Sequence, residues 1–166
     1  MDGLESLRLS LNMSFEWIIQ LAEDLADAPL AVPTSRGGNH AHWTMGHLVF
    51  SQAGLTSMIS GRPNTWETWK SLFAGGTRPH PEGDGYPTYT EVLTAYRTVH
   101  VETLQLLETI GVSGLDDAPK AVWESLRDQP DFQSNGRLFV FIAMHDMAHF
   151  GQLADVRRSL GRKPFA

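Results

Sequence analysis

The chain has no cysteine in its 166 residues. That absence excludes disulfides, thiolate metal sites and a cysteine nucleophile. Any metal must therefore rest on nitrogen and oxygen ligands, and any thiol chemistry must use a thiol carried in by another molecule. Positive charge is scarce too: 13 Lys and Arg against 19 Asp and Glu leave a net charge of -6. Nucleic-acid binders normally show the opposite balance. The one basic run, Arg157, Arg158, Arg162 and Lys163, reads as compensation of a helix C-terminal dipole. No apolar run approaches the roughly 18 residues of a membrane span. The start, Met1-Asp2-Gly3-Leu4-Glu5, has neither the basic residues nor the apolar core of a signal peptide, so a cytoplasmic protein is expected. Strand-like alternation, internal repeats and low-complexity segments are absent as well.

What remains is helical periodicity. Leu4, Leu7, Leu11, Phe15, Ile18, Leu21 and Leu25 step at three or four residues, the apolar stripe of an amphipathic helix. A second helix is expected over roughly residues 42 to 60, stopping at Gly61. A third opens with the capping-box pair Thr88 and Glu91 and runs to Gly111. A fourth begins near Ser134-Asn135 and ends at Gly161, with Pro164 beyond. The stretch from 61 to 87, rich in Gly and Pro, is a long irregular connection with one helical turn expected around Trp66 to Leu72. A second irregular stretch covers 112 to 133. Four helices in one domain, 1–166, predict an all-α four-helix bundle. The connection between helices two and three is long enough to run back along a helix, which predicts that those two are parallel rather than simply up-down-up-down.

The segment that carries chemistry is His145-Asp146-Met147-Ala148-His149-Phe150-Gly151-Gln152. Two histidines four residues apart share a helix face, about 6 Å apart along the axis, and can share one metal ion. They continue an apolar row, Leu138, Ile142, His145, His149, Gln152, Val156, and are expected to point inward. A third ligand is available on helix two, where His47 precedes an apolar run and His42 lies nearer the exposed helix start. Three imidazoles would leave coordination positions open, the mark of a catalytic rather than a structural metal. Gln152 is placed to orient a ligand. Asp146 stands where zinc proteases of the His-Glu-x-x-His type have their base, but it is a methylene shorter and the rest of that motif is missing. It reads as a neighbouring acceptor or a surface residue. Trp66, Trp69 and Phe73 form either an apolar wall over the site or, as the more ordinary reading, a packing cluster that pins the connection.

The His145-x-x-x-His149-x-Gly151-Gln152 run, with Arg157-Arg158-Ser159-Leu160-Gly161 after it, resembles the last helix of the DinB-like (YfiT-like) superfamily. Asn39-His40-x-x-Trp43-x-x-Gly46-His47-Leu48 is similar to the second helix of one branch, and Phe73-x-x-Gly76-Thr77-x-Pro79 to its crossover. The resemblance implies a bundle in up-down-down-up order. It implies a divalent metal, zinc or nickel, held by one histidine of helix two and by His145 and His149. Alignment on the Gly-His-Leu run puts the helix-two ligand at His47, whereas counting eight residues from Trp43 puts it at Ser51. The imidazole favours His47. By the same resemblance the protein is a homodimeric, metal-dependent enzyme acting on a small molecule. Thiol S-transferase chemistry with a low-molecular-weight thiol is the first expectation, and hydrolysis a lesser one. The alternative class is a non-catalytic, stress-associated binding module with a vestigial site. No nucleic-acid or membrane partner is expected.

Overall fold

The computed structural model describes residues 2–34 and 38–164. Among them are helices and irregular connections, with no strand. The four long helices are α1 (Gly3–Asp24), α2 (Ala41–Ser60), α4 (Tyr89–Ile110) and α5 (Asn135–Ser159), with a single-turn α3 (Lys70–Phe73) in the connection after α2. Each long helix begins on a side chain that takes up an orphan backbone N–H. Asp2 accepts from the Glu5 amide, Ser134 from Arg137, and Thr88 and Glu91 form the expected capping box. The α2 cap is His40, whose Nδ1 accepts from the Trp43 amide at 3.1 Å. That helix stops at Gly61, which turns left-handed at φ 70, a conformation open to glycine at no steric cost.

Contacts between helices fix the topology. Ser14 meets Asp146, Trp17 meets Phe150 and Asp24 meets Arg157, so α1 and α5 run parallel. Gln52 bonds Thr103 while His42 packs on Tyr89, so α2 and α4 also run parallel. His100 bonds Asn12 and Tyr89 bonds the Ala22 carbonyl, which makes α1 and α4 antiparallel. The order is up-down-down-up. The core divides into two large apolar clusters, one towards each end, and a small third one of Trp43, Phe50 and Phe73 on the outer side of α2. The first holds Ile18, Leu21, Met45, Leu48, Tyr96 and Leu153. The second holds Leu11, Met58, Leu107, Phe139 and Ile142.

The α2 helix is the central element. Trp43 through Phe50 are all buried without a break, because α4, α5 and the long connection cover it on different sides. That connection is held by a dense aromatic seam. His40 Nε2 donates to the His80 carbonyl at 3.0 Å, His42 Nε2 to the Pro87 carbonyl at 2.8 Å, and Tyr86 packs against His40, His42, Phe73 and His80. Trp66, Trp69 and Phe73 stack in sequence, and Phe73 is fully buried. They pin the connection to α2 rather than wall the cavity described below.

Candidate metal centre

A glycine begins the construction of the site. A Cβ on Gly46 would lie 2.4 Å from the Phe73 ring, so only glycine lets that ring lie flat on α2. With Phe73 seated there, its backbone carbonyl stands 2.8 Å from His47 Nδ1 and accepts that N–H. The ring is also clamped on its face, since Trp43 stacks on His47 at 4.7 Å and 8°. Trp43 is fixed in turn by its indole N–H, which donates to the Leu72 carbonyl and to Thr77 Oγ1. With Nδ1 donating to that carbonyl, His47 keeps its lone pair on Nε2, where Ser51 Oγ lies 3.3 Å away.

The α5 helix supplies the other two rings. His145 and His149 lie 4.6 Å apart by ring centroid, and His47 lies 5.2 and 4.9 Å from them. One ligand nitrogen from each of the three falls within 4.8 Å of the others. His149 Nδ1 donates to Gln152 Oε1 at 3.1 Å, which again fixes the tautomer. Gln152 itself is exposed, not inward as its place in the apolar row suggested. Ser51 joins the group as a neighbour, its Oγ 3.3 Å from each His47 nitrogen. It stands beside the imidazole rather than in its place. His42, the other histidine weighed on α2, is drawn away to the Pro87 carbonyl.

Burial keeps all three rings neutral. It is the largest cause of a lowered pKa at each, opposed at His47 by the Phe73 carbonyl and at His149 by Gln152. His145 drops to about 3, since burial is reinforced there by His149 and His47. Three neutral imidazoles, with one ligand nitrogen of each within 4.8 Å of the others, are the donor set that a borderline divalent ion takes. The residues therefore fit such an ion.

Asp146 differs from its sequence reading. It is 2 % exposed, not on the surface, and it faces away from the histidines into the α1 and α4 side of the core. Its Oδ2 accepts from Ser14 Oγ at 3.1 Å. Burial drives its carboxyl up to about 7, with the neighbouring Tyr96 and Ser14 hydroxyls pulling the other way. The buried stripe of α5 thus runs through Asp146 and Leu153 instead of His145 and Gln152. No carboxylate joins the histidine cluster among the described residues.

His47 and His145 open onto a cavity of about 710 Å³, within the range of small-molecule sites, and both long connections help to line it. Phe50, Phe132, Phe141 and Trp123 are its aromatic walls. Trp123 went unmarked in the sequence because nothing local sets it apart. Only the fold shows its indole lying over Gly54, 3.1 Å from where a Cβ would be.

The family model of the DinB superfamily matches residues 15–153, from the middle of α1 past the last of these histidines. The chain belongs to the DinB superfamily. Among solved structures, this DinB protein is similar to YfiT from Bacillus subtilis, described as a probable metal-dependent hydrolase with an unusual four-helix bundle topology. The two share 14% identity at a TM-score of 0.67, over 96% of this chain and 89% of that one. At that identity the likeness is one of fold. No curated protein matches the DinB chain.

Proposed function

We propose that this DinB protein is a metal-dependent enzyme in which His47, His145 and His149 hold a divalent ion, zinc or nickel, and that it transfers a small thiol to an electrophilic acceptor. The observation that carries this reading is the composition of the centre: three neutral imidazoles on a roomy, mainly apolar cavity, with no carboxylate in the cluster among the described residues. A divalent ion bound there supplies Lewis acidity, which lowers the pKa of a thiol or of water at an open position. A thiol, already far more acidic than water, then needs no carboxylate base from the protein. The nearest acid in sequence, Asp146, is turned into the core. The chain carries no cysteine to compete with an incoming thiol.

The protein's own groups hold and shield. The Phe73 carbonyl and Gln152 fix two ring tautomers, Trp43 clamps the His47 face, and Phe50, Phe132 and Phe141 exclude water from the cavity wall. Hydrolysis is the second reading, favoured by the description of YfiT, and it would need a proton acceptor that the centre does not offer among the described residues.

Elemental analysis of the purified protein and of a His145→Ala variant tests the metal. About one equivalent in the wild type, lost in the variant, is expected. Low-molecular-weight thiols are then offered with electrophilic acceptors to the metal-loaded protein, and thiol-dependent turnover is expected. Absence of metal from the wild type, with equal stability of the variant, would leave a binding module in place of an enzyme. Turnover of ester or amide substrates without a thiol would favour the hydrolase.

A further inference from the structure

The charge at the exposed rim of the cavity is distributed unevenly. Its lining carries Lys70, Glu67 and Arg62 besides the histidines. Lys70 and Glu67 satisfy each other through a 2.9 Å ion pair. The Arg62 guanidinium has no carboxylate partner among the described residues; Arg78, Arg127 and Arg137 share that state, but of the four Arg62 alone lines this cavity. It follows the Gly61 cap, about 20 Å along the α2 axis from His47 at the helical rise. Between the two ends the lining is mainly apolar, with Phe50, Leu55, Leu126, Phe132 and Trp123 along it.

We infer that Arg62 is the anchor for the carboxylate end of an elongated, mainly apolar substrate whose other end reaches the histidines. This rests on the reading of His47, His145 and His149 as the reactive end. A guanidinium matches a carboxylate with two parallel N–H···O bonds. One uncompensated cation balances one negative charge, so a monoanion fits better than a phosphate dianion. In a molecule of net charge -6, a positive group at the rim of an apolar cavity also discriminates: it selects an anion that the rest of the surface repels. Arg62 is thus a specificity residue, remote from the reacting atoms.

The probes are dodecanoate and its neutral analogue dodecanamide, with binding followed by calorimetry and by tryptophan fluorescence on the whole protein. Wild type, Arg62→Gln and Arg62→Lys are compared, each with metal and after removal of metal by chelation. The wild type is expected to prefer the acid over the amide by about tenfold or more, the worth of a charge-assisted pair. Arg62→Gln is expected to abolish the preference with the amide affinity unchanged, and Arg62→Lys to keep part of it. Unchanged melting of both variants checks their folding. The preference is expected to persist without metal. Equal affinity for acid and amide in the wild type, or an unaltered preference in Arg62→Gln, would overturn the inference. So would a preference that vanishes on chelation, because the carboxylate would then sit at the histidines. A wild type that takes up no metal yet shows the Arg62-dependent preference would sink the metal-enzyme reading alone.

Discussion

A methyl group on Gly46 has nowhere to go, since the Phe73 ring occupies its place. Gly46→Ala is therefore expected to push Phe73 off α2 and to take the carbonyl away from His47 Nδ1. The cost should be about 1–3 kcal/mol of stability, as for overpacking in general, together with weaker metal binding. Denaturant melts and competitive metal titration read the two effects separately. Gln152 offers a cleaner cut. Its side chain is exposed and, among the described residues, bonds only to His149 Nδ1, so Gln152→Ala should leave stability within about 0.5 kcal/mol while weakening metal affinity about 10- to 100-fold. Equal affinity in that variant would show that the ring needs no outer acceptor. At this scale the sequence was only partly legible. The histidine spacing gave His145 and His149 directly, because one helix sets both. The acceptors did not follow in the same way: a backbone carbonyl at Phe73 has no signature in side-chain identity. The rotation of α5 by one position, which buries Asp146 and exposes Gln152, lies within the spread of an apolar stripe that periodicity cannot resolve.

At the scale of elements, the start of α2 and the far end of the long connection depend on one residue. His40 uses both ring nitrogens, Nδ1 as the helix cap and Nε2 as donor to the His80 carbonyl. His40→Ala should cost about 1–2 kcal/mol as a lost cap and should free the connection around residue 80. Limited proteolysis ought then to cut between α3 and α4 well before the rest of the bundle, and wild-type resistance there would contradict the expectation. Helix boundaries were the most legible part of the fold. Thr88 with Glu91 and the Gly61 stop are local signals, and the helices obey them. The direction of α4 followed from connection length alone. The lining of the cavity did not, because Trp123 and Phe132 reach it only through the path of an irregular segment.

Across the whole molecule, buried histidine is the dominant titrating feature. His40, His42, His47, His100, His145 and His149 all have pKa values lowered, chiefly by burial. The unfolded chain protonates these histidines near pH 6.5 and the folded one does not, so their contribution to stability is full above that pH and is lost as acid is added; Asp146, whose carboxyl takes up a proton below about pH 7 in the folded chain, opposes the six of them singly. His100, stacked on Phe15 and brought down to about 4, would itself account for up to about 3 kcal/mol of loss by pH 4. Thermal melts of the metal-free protein between pH 7 and 4 should show this slope, and His100→Gln should flatten it. A stability independent of pH over that window would contradict neutral burial.

The parallel pairing of α1 with α5 also bears on how the chain folds. The first and last helices are neighbours, with bonded residues such as Ser14 and Asp146 that are 132 positions apart. Most helical proteins fold fast because their contacts are local. Here the closure of the bundle waits for the last helix to arrive, and two of the three clustered histidines arrive with it. Until then α1 and α2 expose apolar faces, so this protein should fold more slowly than a bundle of hairpin-linked helices and should bring its three histidines together only in the final step.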